Sequence, residues 1–467
     1  MPVITPISCR ERLVQEELET HAWFASRPFP AMHRSHPDEI IRVLRDELKD
    51  CGTWVDVQPV PLEPFPTSRQ SYDELFAVSR DLLGLLRRAL LEAAPTRQGR
   101  LDALGGRPGT HSYPLFVDDD EFELRHCAAM ARPDVVIGRD GPRFLEFNVS
   151  GAFGGPTEAH GFGRAWTRLY GGVGSSLPFT MDDPFSARAD LFEKVCAELG
   201  VPKAVALVGN RVDRRGETTR YFDGEAAYLR GRGFLAEVVE PGALPEAIGR
   251  PGSLRFPLAL RYFAPADWVS RGESLDAVRA LIAVGCVLYP PESSYLLANK
   301  RLLARLSKPH DWMSDSDRRL VQRYVPWTRL ARDGKVDWRG EWEDLRRLLT
   351  VRRESFVIKP AVGMMGHGVV IGRFRSPTQW EADVTQVLDS GNAIVQEYVE
   401  PARYELEMAA EPGTEPYRAS VAPVLSPLLF GGRPGGIYAR YYPDGRSGVV
   451  GVAQGGAMEN VVLPGSD

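Results

Sequence analysis

"RPDVVIGRDGPRFLEFNVSG", residues 132–151, decides how this chain is read. Two β-type runs, "DVVIG" and "RFLEFNV", flank the turn-rich "RDGP", which is the pattern of a β-hairpin. A hairpin centred on Asp140 sets Asp134 directly across from Glu146. Asn148 follows two residues later on the face of Glu146. Like charges directly opposed destabilise a sheet. A Mg2+ ion would remove that conflict, because it takes hard oxygen donors, commonly carboxylates together with substrate phosphates. Asp134, Glu146 and Asn148 offer such oxygens on one face, and Arg132 shares the parity of Asp134. A cation beside an arginine is what a transferring phosphoryl group requires. The plain alternative is an acidic hairpin edge in water. Register decides between them, since a slip of one residue turns Asp134 to the other face.

The rest of the chain bounds the possibilities. Its 467 residues are 43% hydrophobic and 25% charged, enough for two to four globular domains with real cores. A net charge of −5 gives no basic field for nucleic acid or an anionic membrane. The N-terminus lacks a signal pattern and no apolar run reaches membrane-spanning length, so a cytoplasmic protein is expected. Cys9, Cys51, Cys127, Cys196 and Cys286 are scattered, which suggests free thiols in a reducing compartment. Cys127 next to His126 is read as a small buried thiol, not half of a catalytic pair.

Organisation follows from periodicity. Residues 1–100 read as a helical N-terminal region, with "PDEIIRVLRDELKD" and "YDELFAVSRDLLGLLRRALLEA" joined by the proline-rich connection "VDVQPVPLEPFPTS". Residues 101–184 hold the helix "DEFELRHCAAMA", the hairpin and the glycine-rich "GAFGGPTEAHGFGRAW", read as a flexible loop. Residues 185–292 alternate strand and helix, the signature of a Rossmann-like βαβ domain around a parallel sheet. Residues 293–467 begin with one helix, "YLLANKRLLARL". They continue through the strands "SFVIK", "GVVIGRF" and "AIVQEYVE" and end in strands and glycine turns, including "GVVGVAQGG".

Three further stretches carry chemistry. In "FVIKPAVGMMGHGVVIG", Gly363, Gly366 and Gly368 follow Lys359. Only seven of the 57 basic residues are lysine, so a lysine inside an apolar strand is informative. Glycines let backbone N–H groups approach phosphate oxygens, and β-type residues on both sides make this a hairpin tip instead of a P-loop. An ordinary glycine turn beside a snorkelling lysine is the competing reading. "AIVQEYVE" can offer backbone groups to a purine edge or serve as a plain core strand. Lys300 on its helix and Arg440 in "GGIYARYYPD" are phosphate-binding candidates or simple surface charges.

Taken together, these motifs resemble the ATP-grasp ligases, and among them the glutathionylspermidine synthase-like branch, in which the metal-binding strands precede the nucleotide lysines. Arg132, Asp134, Glu146 and Asn148 are similar to that branch's Arg-x-Asp followed by Glu-x-Asn. Asn299–Lys300, "VIKPAVGMMGHG", Gln396–Glu397–Tyr398–Val399 and "RPGGIYAR" are similar to its two lysine segments, its hinge and its late arginine. The resemblance covers roughly 130–155 and 290–445. It implies an α/β (α+β) ATP-grasp fold with a parallel-sheet pre-ATP-grasp-like domain. Residues 101–184 would then bind metal and acid substrate, and 293–467 would bind nucleotide, with a lid at about 351–405. It further implies an ADP-forming carboxylate–amine ligase using ATP and Mg2+. Lys300, Lys359, Gly363, Gly366, His367, Gly368, Gln396, Glu397, Tyr398 and Val399 would contact ATP. Asp134, Glu146 and Asn148 would hold the metal, and Arg132 and Arg440 would be catalytic. Ser150 and Gly151 would meet the acid substrate, although "VSGAFGGP" departs from the branch's "ADTP" and no separate amidase domain precedes the ligase part. Glu459–Asn460 in "MEN" is a rival metal site, disfavoured because adjacent strand residues point to opposite faces. The expected partners are small-molecule carboxylate and amine substrates, with neither nucleic acid nor membrane and with a homo-oligomer allowed. A phosphotransferase acting on a small molecule, or a non-catalytic nucleotide-binding protein, would account for the same motifs.

Overall fold

The computed structural model describes residues 21–24, 29, 36–53, 59–105, 115–117, 119–171, 176–211, 219–270, 272–363, 365–451 and 455–466. The chain forms a mixed α/β structure built on three principal sheets. The largest has six strands, in the order Phe65–Thr67, Met458–Pro464, Arg433–Tyr441, Val424–Phe430, Met130–Gly138 and Gly141–Val149. All neighbours in it run antiparallel except the first pair. Val135, Ile137, Leu425, Ile437, Ala439 and Val462 point to one face and pack on Leu75, Leu82 and Leu86 of the helix Arg69–Leu91. On the other face, Met130, Leu428, Tyr438, Val461 and Leu463 pack beneath the helices Pro156–Tyr170 and Pro184–Leu199. Beyond those helices the same face turns polar.

The second sheet has four antiparallel strands in the order Thr328–Leu330, Ala393–Glu397, Phe356–Pro360 and Val370–Ile371. Phe356, Ile358, Ala393 and Val395 bury one face against Leu348, Leu349, Trp380 and Val384 of the helices Leu345–Val351 and Pro377–Ser390. Alternation therefore turns Lys359 and Gln396 to the opposite face. The third sheet, ordered Val287–Tyr289, Leu258–Arg261, Ala204–Val208 and Leu235–Val239, is wholly parallel. It is the sheet expected from the strand–helix alternation of 185–292.

Several expectations give way. The glycine-rich stretch after the hairpin is not a long loop, because Pro156–Tyr170 is a helix capped at Gly155. Its glycines serve close packing: a Cβ on Gly161 would meet Leu48 Cδ2 at 2.8 Å. "YLLANKRLLARL" is two helices, Ser293–Leu297 and Lys300–Leu306, divided at Asn299, whose side chain accepts from the Arg301 amide as an N-cap. The proline-rich connection supplies the strands Val60–Pro61 and Phe65–Thr67. "GVVIGRF" keeps only Val370–Ile371 as strand before a 3-10 turn. The described part of "GVVGVAQGG" is not strand, and residues 452–454 lie outside the described residues. Cys51, Cys127, Cys196 and Cys286 are buried free thiols, while Cys9 lies outside the described residues. His126 bonds Tyr289 and Glu198, not Cys127. Among the described residues no helix is long and apolar enough to cross a membrane.

Two glycines should respond in opposite directions to alanine. Gly84 is exposed within the helix Arg69–Leu91 with nothing near its missing Cβ, so Gly84→Ala is expected to stabilise by about 0.5–1 kcal/mol. A Cβ on Gly151 would lie 2.5 Å from the Arg261 carbonyl oxygen, which is backbone and yields little. Gly151→Ala is expected to destabilise by about 1–3 kcal/mol. Thermal or urea unfolding of both variants checks the pair.

Candidate functional site

The hairpin builds the site through one irregularity. Gly138 pairs with Gly141, so the turn is the two residues Arg139–Asp140 and is not centred on Asp140. That register alone would put Asp134 opposite Leu145. A bulge between Asp134 and Val135 on one side, and at Leu145 on the other, adds the residue that brings Asp134 opposite Glu146 and Arg132 opposite Asn148. The pairing read from the sequence is present, though it arises differently.

The bulge also frees a carbonyl. Leu145 O accepts from Lys359 Nζ at 3.1 Å and from Gln396 Nε2 at 3.2 Å, so the second sheet is clasped to the hairpin of the first. Lys300 comes from a third direction. It is the first residue of its helix, its amide donates to Ala361 O at 2.9 Å, and its ammonium lies 3.3 Å from Glu146 Oε2 and 3.3 Å from Gly363 O. Residues more than 150 positions apart in sequence thus meet at one carboxylate.

A polar stripe continues across the large sheet. Asp134 Oδ1 takes a hydrogen bond from Ser426 Oγ at 2.9 Å and lies 2.8 Å from Arg440 NH2 and 3.5 Å from Arg132 Nε. Burial acts to raise the Asp134 pKa, but Arg440 and Arg132 outweigh it and hold the carboxyl at about 2. Arg132 NH1 donates to Gly154 O at 2.9 Å, and Asn148 Nδ2 donates to Arg132 O at 3.1 Å, which leaves the amide oxygen of Asn148 as its outward acceptor. Arg440 is the cross-strand partner of Glu459. Four cations, Arg132, Lys300, Lys359 and Arg440, thus surround two carboxylates, Asp134 and Glu146. The excess of positive charge suits a polyanion. Arg132 Nε and Arg440 Nε are buried without a hydrogen-bond partner, so donors remain to be satisfied.

Other candidates are held differently. Gln396 is buried and its amide also bonds Thr328 Oγ1 at 3.1 Å, so its side chain serves the clasp. The amides of Glu397 and Tyr398 donate to Trp327 O and Ser355 O, both at 2.8 Å, and are committed within the protein. The Glu397 carboxylate accepts from Arg339 at 3.1 Å, the Tyr398 ring lies under the Arg373 guanidinium, and Val399 packs on Gly138. Gly363, His367 and Gly368 are exposed beside the half-buried Gly366, and Gly366 and Gly368 adopt φ of +73° and +71°. Ser150 Oγ accepts from the Ala152 amide at 3.0 Å, and Gly151 lies on the Arg261 backbone, so both shape their loop. The rival pair separates as alternation requires. Asn460 is buried between Trp166 Nε1 and Glu63 O, while Glu459 faces the polar stripe and bonds Tyr438 OH. A surface groove of about 330 Å3, lined by Arg353, Ser355 and Trp380, includes none of the charged cluster. Among the described residues no three His, Cys, Asp or Glu side chains gather as a metal cage. Two carboxylates and an amide are instead the sparse set that suits Mg2+ shared with phosphates.

Sequence reasoning passed over Ser426 and the Leu145 carbonyl. A serine inside the apolar run "VLSPLLF" was the available signal for the first. A main-chain carbonyl leaves none.

Lys359 offers a titration test. Burial lowers its pKa to about 8, with Glu146 opposing. A bound polyanion favours the ammonium, so affinity is present below that pH and is lost as pH rises through it. Inorganic tripolyphosphate is expected to bind more weakly above pH 8, by up to about tenfold per unit. The Lys359→Arg variant, charged throughout, should lack this fall. Calorimetric titration from pH 7 to 9.5 measures both.

No protein-family model and no curated protein matches the sequence. Solved structures do. A glutathione synthetase-like effector from Globodera pallida, in its apo form, aligns with a TM-score of 0.55 over 94% of this chain and 100% of its own, at 13% identity. A candidate γ-glutamylcysteine synthetase from Methylobacillus flagellatus aligns over 82% of this chain and 88% of its own at 11% identity, but its TM-score of 0.36 carries no argument. The first likeness extends over nearly the whole chain, and at that identity it establishes a shared fold: the protein has the fold of a glutathione synthetase-like protein.

Proposed function

We propose that the chain is an ADP-forming carboxylate–amine ligase of circularly permuted ATP-grasp design, joining an amino acid or small peptide to an amine. The observation that carries this reading is the meeting of Lys300 and Lys359, from two separate segments, with the Asp134–Glu146 hairpin. ATP is the phosphoryl donor in this reading, with its triphosphate against the two lysines. The purine would lie along 396–399 through groups other than the committed amides of Glu397 and Tyr398.

Asp134, Glu146 and Asn148 would hold Mg2+. Bound there, the ion supplies Lewis-acid neutralisation of the terminal phosphates. The protein's own residues do the rest. A phosphate arriving at Lys300 replaces Glu146 as its counterion and frees that carboxylate to act as a ligand. Lys359 remains protonated once a phosphate faces it. Arg132 and Arg440 stabilise negative charge as the γ-phosphoryl passes to the substrate carboxylate. The product of that step is an acyl phosphate, and an amine then displaces phosphate to give the amide. The loop 150–155, whose Gly154 carbonyl accepts from Arg132, and Gly363, whose carbonyl meets Lys300, adjoin the cluster and would exclude water, which would otherwise hydrolyse the acyl phosphate.

The test is an ADP-release screen of amino acids against amines, with mass spectrometry of the product. ADP release that requires both an acid and an amine is expected. A stable phosphorylated product would indicate a phosphotransferase instead, and ATP binding without turnover would indicate a non-catalytic protein. Asp134→Ala and Glu146→Ala are each expected to lower ADP release by about a hundredfold or more while melting stays cooperative. Near-normal turnover in both would refute the assignment.

A further inference from the structure

A serine stands within the strand Val424–Phe430, "VLSPLLF", whose other residues are apolar. Ser426 is wholly buried. A hydroxyl taken out of water is costly unless it is bonded, so alanine would serve packing alone better. The strand register gives the hydroxyl its use. Leu425 pairs with Val135, so Ser426 stands across from Asp134 on the neighbouring strand. On the other side Ser426 pairs with Tyr438 and Val424 with Arg440, so Arg440 reaches the serine along the diagonal. Ser426 therefore lies between the acid and the arginine.

The direction of its two hydrogen bonds is forced. Arg440 NH2 lies 3.3 Å from Ser426 Oγ and can only donate, while Asp134 Oδ1 lies 2.9 Å away and, ionised, can only accept. The hydroxyl has one proton, and it goes to Asp134. Three groups then converge on a single oxygen of that acid: Ser426 Oγ, Arg440 NH2 at 2.8 Å and Arg132 Nε at 3.5 Å all fall on Oδ1. An arginine beside a carboxylate commonly closes on it as a fork, with one N–H on each oxygen. Here Arg440 NH2 divides between Asp134 Oδ1 and Ser426 Oγ, and NH1 donates to Val450 O at 3.3 Å. Oδ2 is left out of these contacts.

We propose that Ser426 is a positioning residue for the metal: by tying down Oδ1 and drawing Arg440 to the same side, it keeps Oδ2 of Asp134 available as the ligand oxygen. This rests on the reading of Asp134 as a metal ligand given above and adds a residue that acts through that acid. Without the hydroxyl, Arg440 can close on both oxygens, and Asp134 becomes half of a salt bridge instead of a ligand. The lysine end of the site is built separately, since Lys300 meets Glu146 and Gly363 O, and Lys359 meets Leu145 O. Loss of the serine hydroxyl should therefore weaken metal binding and spare polyanion binding.

Calorimetric titration of the full chain separates the two. Inorganic tripolyphosphate in EDTA reports polyanion binding without metal. Mn2+ titrated in the presence of a non-hydrolysable ATP analogue reports the metal. In Ser426→Ala the tripolyphosphate affinity is expected to be unchanged, while the Mn2+ affinity falls about tenfold or more. In an Arg440→Lys background, where no fork can form, Ser426→Ala should cost Mn2+ clearly less. Equal loss of both affinities would mean that the serine is merely structural and overturns the proposal. A loss of Mn2+ affinity as large in the Arg440→Lys background overturns it too. Wild-type protein that binds Mn2+ no better with the analogue than without it overturns the metal reading itself and the proposal with it. A coupled wild type whose Mn2+ affinity is unmoved by Ser426→Ala overturns the proposal alone.

Discussion

The carbonyl of Leu145 is the point on which both sheets close. A regular hairpin would spend that oxygen on its own ladder. The extra residue in the strand Gly141–Val149 turns it outward, where Lys359 and Gln396 take it. A hydrogen bond to a charged donor contributes about 1.5–3 kcal/mol, and a buried carbonyl left unpaired costs a comparable amount. The same residue sets the register that opposes Asp134 to Glu146. Geometry of the acidic pair and docking of the lysine sheet therefore share one cause.

Electrostatics completes the arrangement. The cluster carries more cations than ionised carboxylates, and each carboxylate has a provisional partner: Glu146 with Lys300, Asp134 with Arg440 and Arg132. Asp134, Lys300 and Arg440 are buried, while Glu146 and Arg132 are half-buried. A site of this kind suits a polyanion and disfavours a bare dication, because four positive charges lie nearby.

How much of this was legible in the sequence depends on what kind of signal each feature leaves. Parallel strands of 185–292 and the acidic hairpin were readable because alternation and turn residues are local. The bulge was not, since Leu145 looks like any apolar strand residue and only the count of turn residues against pairing partners reveals it. Glycine misled at 161, where it permits close packing against Leu48 inside a helix and does not break it. Asn299 was read as mid-helix although its type favours an N-cap, and the correction moves Lys300 to a helix N-terminus. The parts missed are those fixed by long-range packing, where local propensity has no vote.

The central claim is that metal and nucleotide are bound as one unit by the hairpin and the two lysines. Water-proton relaxation of Mn2+, measured with and without a non-hydrolysable ATP analogue, tests it most directly. The account predicts weak Mn2+ binding alone, strong enhancement when the analogue is added, and loss of that coupling in Glu146→Gln. Equal Mn2+ binding with and without the analogue, or coupling that survives Glu146→Gln, would contradict it.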